Sequence, residues 1–195
     1  MTKNITSYNV AIKGFDVVSP KGDRVVDMPN LNSKAILDSG STISLLPDDQ
    51  VEAVWEEFGV RVVQGVPVPF IDCAYAGDKG RDYIFEFRFG SKTIQVPIDE
   101  MIINALAGFQ DDLLQVREFK DWEGVCMFGI GATSFFGYDT DEFTLLGATF
   151  LRSAYVVYDI ANQQVALAQA NLNSTESEIV EITKGDLPTV TGVDS

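Results

Sequence analysis

The sequence predicts a mainly β fold with a few short helices. Three observations carry this. Short stretches of alternating apolar and polar residues recur at 8–18, 83–96 and 154–170, the period-two pattern of half-buried strands. Glycine-, proline- and asparagine-containing turns separate them at short intervals, as strand-rich domains require. Only two or three stretches carry the i, i+3, i+4 apolar spacing of a helix. With 195 residues and 46% hydrophobic content, the chain is long enough to bury one substantial core.

Tyr8, Val10 and Ile12 lie on one face of the first strand, and Phe15 and Val17 follow after Gly14. That change of phase predicts a bulge at the glycine. Pro20–Asp23 is a turn, Arg24–Asp27 leads away from it, and 29–34 is loop. Ala35, Ile36 and Leu37 then form a buried strand that ends in Asp38-Ser39-Gly40-Ser41-Thr42, and Ile43, Leu45 and Leu46 resume the apolar run. An acid held in a polar turn between two buried strands has to have its charge managed by hydrogen bonds or by a like partner.

Pro47 opens a helix, with Asp48 and Asp49 favoured at its positive end. Val51, Val54, Trp55 and Phe58 form its apolar stripe, and Gly59 stops it. The 60–70 segment is strand-like, but Pro67 and Pro69 assign it to a sheet edge. Tyr83, Phe85, Phe87 and Phe89 alternate along a strand that turns at Gly90-Ser91 and returns through Thr93–Val96. This aromatic stripe reads as core. Ile98, Met101, Ile102, Ala105 and Leu106 predict a second short amphipathic helix.

The acidic 109–124 stretch reads as a solvated loop, and Val125–Ile130 as a buried strand carrying Cys126. The 131–142 segment is a loop with Phe135, Phe136 and Tyr138, either packing residues or the lining of substrate subsites. Phe143–Leu146 runs into a turn at Gly147, Ala148–Arg152 is a helical piece, and Ala154–Tyr158 pairs with Gln164–Ala170. Residues 171–195 contain no aromatic residue and read as an acidic tail or linker.

Composition excludes several functions. The net charge of −15, from 14 basic and 29 acidic residues, argues against a nucleic-acid partner, which needs a basic face. It suits either work in acid or simple solubility. The chain has no histidine, which removes Ser-His-Asp and Cys-His catalysis and histidine metal sites. No cofactor is expected, and acid–base chemistry falls to carboxylates, Lys or Tyr. The two cysteines, Cys73 and Cys126, lie too far apart in sequence for a zinc motif. They read as one disulfide if the chain is extracellular. Sequons at Asn4 and Asn173 point the same way. Residues 1–20 are too polar for a leader, and no apolar run reaches the length of a membrane span. A secreted chain of this kind is expected to be a piece of a longer precursor.

Two regions share one design. Ile36-Leu37-Asp38-Ser39-Gly40 and Leu145-Leu146-Gly147-Ala148 each run from an apolar strand into a glycine turn. This pairing resembles the C-terminal lobe of the pepsin-like aspartic proteases. The similarity extends through Thr144–Arg152, Tyr155–Asp159 and Gln164–Ala168, covers residues 5–170, and is nearest to fungal secreted and cell-surface enzymes of the yapsin and candidapepsin type.

The resemblance implies one lobe of a bilobal acid protease over 1–170, with Asp38 as one of two catalytic acids. Ser39 would buttress the loop across the lobe interface. Gly40 would allow close approach, and Ser41 and Thr42 would contact acid or substrate backbone. Cys73 and Cys126 match that lobe's own disulfide in order. The substrates implied are polypeptides, and the place is the cell surface or beyond. Asp38 lies in the chain's single Asp-Ser/Thr-Gly, so the second acid is expected from an N-terminal lobe. The alternatives are a non-catalytic pepsin-like binding module, or a structural turn aspartate at Asp38.

Overall fold

The computed structural model describes residues 9–31, 33–137, 143–160, 164–172 and 174–175. The sequons at Asn4 and Asn173, the 176–195 tail and Tyr138 lie outside the described residues. Strand is the commonest regular structure among the described residues, in four sheets.

The alternation at 8–18 is two strands rather than one. β1 (Asn9–Ile12) and β2 (Gly14–Val18) part at Lys13 and enter different sheets. The register irregularity lies between Val17 and Val18, against β3 (Arg24–Met28), and not at Gly14. Gly14 instead lies under the Arg88 guanidinium, within 2.6 Å of where a Cβ would sit. Beside it Asp16 is fully buried, ion-paired to Arg88 and to Arg24 at 3.5 Å.

β4 (Ser33–Leu37) and β5 (Ser44–Leu46) flank the Asp38 turn. α1 (Asp48–Phe58) follows Pro47, buries Val51, Val54 and Phe58, and ends at Gly59 with φ 62°. A left-handed residue there is what glycine supplies without steric penalty. Trp55 is half-buried and donates its indole N–H to the Ile130 carbonyl at 3.0 Å.

The proline-broken segment forms β6 (Arg61–Val62) and β7 (Pro69–Asp72). β7 is interior to its sheet, contrary to the expected edge, and β6 is the edge. Pro69 is tolerated because it opens the strand and Pro67 lies outside it. β8 (Ile84–Phe89) and β9 (Lys92–Pro97) form the expected hairpin, with Gly90 at φ 57°.

The second amphipathic helix does not form. Ile98–Met101 is a single 3-10 turn, and Ile102–Ile103 is strand β10. The i, i+3, i+4 apolar spacing that suggested a helix serves one tight turn equally well. The β-branched pair then completes the edge of β11 (Val125–Phe128), with Ile102 opposite Phe128. The acidic stretch is also more ordered than a solvated loop. It contains α2 (Gln110–Leu113) and buries Phe119 against Phe70 at 5.3 Å and Trp122 at 5.0 Å. The Gln110 side chain accepts from the Val125 N–H at 2.7 Å and donates to its carbonyl at 2.9 Å.

β12 (Ile130–Ala132) precedes a 3-10 turn over Thr133–Phe136, where Phe135 packs on Trp55 at 5.4 Å and Phe136 is exposed. β13 (Phe143–Leu146), α3 (Ala148–Leu151), β14 (Ala154–Asp159) and β15 (Gln164–Gln169) complete the described elements.

The sheets order as β1-β4-β13-β5-β12, β10-β11-β7-β6, β14-β15 and β3-β2-β8-β9. Between them Phe58, Phe85, Phe87, Phe128 and Phe150 form one aromatic core, with Phe58 stacked on Phe85 at 5.5 Å. Each such ring contributes about 1.5–3 kcal/mol by burial. Cys73 and Cys126 are joined in a disulfide that ties the end of β7 to β11.

Candidate active site

The five-stranded sheet explains where Asp38 sits. β4 and β13 run parallel, with Leu37 opposite Leu146, and β5 lies antiparallel on the other side of β13. The 38–43 loop joins β4 to β5 and therefore straddles the C-terminal end of β13. The Asp38 N–H donates to the Leu146 carbonyl at 3.0 Å. On the far side Ala148 N–H donates to the Ser41 carbonyl at 2.8 Å, and Thr149 N–H to the Thr42 carbonyl at 3.3 Å.

Gly147 passes directly under this loop. A Cβ on it would lie 2.2 Å from the Ile43 carbonyl oxygen and 2.8 Å from that of Ser41. Those neighbours are backbone and cannot swing aside. Glycine is needed here for space, not for an unusual φ, which is −86°. The second glycine turn is thus the packing partner of the first.

Asp38 is half-buried at the rim rather than enclosed between its strands. Its Oδ1 accepts the Gly40 N–H at 2.9 Å, and its Oδ2 accepts the Ser41 hydroxyl at 2.7 Å. Two donors fix the plane of the carboxylate. They leave about two of its four acceptor positions for water or substrate. Among the described residues Asp38 belongs to no ion pair. Ser39, Gly40 and Thr42 are exposed on the outer surface of the loop, and Ser41 is half-buried beneath them.

A cavity of about 410 Å³ is lined by Tyr75, Arg81, Asp82, Tyr83, Pro97 and Asp99 among others. It shares no residue with the Asp38 loop. That loop is an open surface, and a substrate cleft there needs a second wall. Among the described residues no cluster of three or more His, Cys, Asp or Glu could hold a metal ion.

Sequence reasoning passed over the buried hydroxyls beneath the loop. Ser44 and Thr149 are fully buried, with their oxygens 3.3 Å apart. The Gly147 N–H donates to Ser44 Oγ at 3.2 Å, and Thr149 Oγ1 donates to the Gly129 carbonyl at 2.9 Å. The available signal was a serine inside the apolar Ile43–Leu46 run and a threonine beside Phe150. Buried polar side chains in such runs need partners.

The chain matches the family model for eukaryotic aspartyl proteases over residues 2–170. It is 34% identical over 190 residues to the probable aspartic-type endopeptidase opsB of Aspergillus fumigatus, covering 96% of this chain and 36% of that protein. It is 29% identical over 181 residues to aspartic proteinase 3 of Saccharomyces cerevisiae, covering 93% of this chain and 27% of that protein. It is 27% identical over 168 residues to secreted aspartic protease 9 of Candida albicans, covering 86% of this chain and 27% of that protein. The chain thus spans about a third or less of these relatives' lengths. With a family model matched over most of its length, and an Asp-Ser-Gly loop seated on a glycine turn, this chain belongs to the eukaryotic aspartyl protease family.

Proposed function

We propose that residues 1–170 act as the C-terminal lobe of an aspartic endopeptidase, with Asp38 as one of two catalytic acids and 171–195 as a tail or linker. The observation that carries this is the carboxylate itself, with both oxygens fixed by Gly40 and Ser41 on a loop locked over Gly147. The second acid comes from an N-terminal lobe whose own Asp-Thr/Ser-Gly loop faces Asp38. Two carboxylates in contact cannot both ionise, so they share one proton. The ionised member takes a proton from a water held between them, and that water attacks the peptide carbonyl. The protonated member stabilises the developing oxyanion.

Ser39 and Thr42, exposed on the outer face, then meet the facing lobe and the substrate backbone. The exposed Gly40 leaves room for the opposing chain. Polypeptides are the substrates. The secretory pathway is the proposed location, supported by the Cys73–Cys126 disulfide, the sequons, and a relative named as a secreted protease.

The test is peptide hydrolysis in acid by the enzyme assembled from both lobes. Asp38→Asn should abolish it without preventing assembly, as followed by native mass spectrometry. Retained hydrolysis would overturn the assignment. A facing residue that cannot serve as an acid would favour a binding module instead.

A further inference from the structure

The Ser44–Thr149 pair has a direction that its neighbours settle. Thr149 Oγ1 spends its hydrogen on the Gly129 carbonyl, so it can only accept from Ser44. Ser44 Oγ accepts the Gly147 N–H, so its own hydrogen goes to Thr149. The result is a one-way relay from Gly147 N–H through Ser44 and Thr149 to the Gly129 carbonyl, with every donor used. The Gly129 carbonyl also accepts the Ser44 N–H at 2.9 Å, and the Gly129 N–H donates to the Met101 carbonyl at 2.7 Å.

This relay is fully buried, and it starts at Gly147, the residue that limits the Asp38 loop. Gly147 meets the loop through the Ile43 and Ser41 carbonyls, and Ser41 holds Asp38 Oδ2. A shift of the Gly147 turn therefore moves Ser41, and with it the acid.

We infer that Ser44 and Thr149 are positioning residues for catalysis. They fix the height of the Gly147 turn and so the placement of the Asp38 carboxylate against its partner acid. This rests on Asp38 being catalytic. The relay acts through geometry and carries no proton in the reaction, because its last acceptor is a backbone carbonyl.

The experiment uses the two-lobe enzyme, with active sites counted by a tight-binding peptide transition-state analogue. Thr149→Val keeps the shape but removes the hydroxyl. It should lower kcat about 10–100-fold, as a small misplacement of a catalytic group does, with KM held. Thr149→Ser, which restores the hydroxyl, should recover most of the loss. Unchanged kcat per counted site, or a loss that serine does not repair, would overturn the inference. Asp38→Asn separates the two claims. If that variant still cleaves, the parent assignment has failed. If it is dead while Thr149→Val turns over normally, only the relay has failed.

Should Thr149→Val not fold, hydrogen exchange of the wild-type chain decides. The Gly147 amide should exchange in the slowest class, far behind the exposed Gly40 amide region. Exchange as fast as that loop would contradict the relay.

Discussion

Asp38 and Asp72 begin alike. Each lies at the end of a strand in an apolar run, and each carboxylate accepts the N–H two residues on, from Gly40 at 2.9 Å and from Ala74 at 3.1 Å. This is the local turn that aspartate forms readily. From there they diverge. Asp72 is only 5% exposed. Its Oδ1 also accepts the Glu123 N–H at 3.1 Å, and its Oδ2 takes the Lys79 ammonium at 3.0 Å. Burial pushes the Asp72 carboxyl up, but the Ala74 N–H, Lys79 and the Glu123 N–H outweigh it and hold it below the ordinary value. With three donors, that carboxylate binds the disulfide-bearing turn to the 109–124 segment. Asp38 keeps two donors, no cation among the described residues, and an open side. One turn motif therefore leaves its carboxylate either locked or open, and the difference is made by what arrives from elsewhere in the chain.

The contrast predicts opposite phenotypes. In the two-lobe enzyme Asp38→Asn should lower kcat by about 10²–10⁴-fold or more, the range for losing a general acid–base group, and leave Tm nearly unchanged. Asp72→Asn should lower Tm and leave kcat per active site unchanged. Matching effects in both assays would erase the distinction.

Next in size is the disulfide beside Asp72. Cys73 and Cys126 are 53 positions apart, and closing such a loop stabilises by about 4 kcal/mol in the chain-entropy model. Cys73→Ser/Cys126→Ser should show a loss of that order in denaturant unfolding. On the Asp38 side, Gly147→Ala should cost about 1–3 kcal/mol through overpacking, and should also reduce activity, because the added methyl meets the Ile43 and Ser41 carbonyls. Loss of stability with full activity would show that the loop adjusts independently of the turn.

The smallest effect concerns pH. Asp72 has a lowered carboxyl in the folded state, so its contribution is complete above the unfolded value of about 3.9. It is lost as pH falls through the lower folded value. Asp72→Asn keeps an oxygen for the two N–H donors but cannot hold the Lys79 charge, a loss of about 1–2 kcal/mol near neutral pH. The variant's stability should therefore approach wild type as pH drops below that range, as read by thermal melts across pH. A gap that widens in acid would contradict the sign.

The Asp38 loop was readable because the acid, the glycine and two apolar strands are contiguous, and Gly147 because it too ends an apolar run. The β8–β9 hairpin was readable from strict alternation and a two-residue turn. What escaped depends on distant partners. Ile98, Met101 and Ile102 fit a helix or a turn equally, and only the open edge of β11 decides for strand. The first alternating stretch does not reveal that Lys13 divides it between two sheets. Phe119 stands alone among charges in the sequence, and Phe70 is what buries it. The Ser44–Thr149 pair spans 105 positions, so neither residue carries a local sign of the other.

We propose that this chain holds half of an active site. The most direct test is peptide cleavage in acid by the purified chain alone and by the same chain with its acid-bearing N-terminal lobe, at equal concentration. Only the pair should cleave, and a stoichiometric transition-state analogue should titrate one site per pair. Robust cleavage by the chain alone would contradict the account.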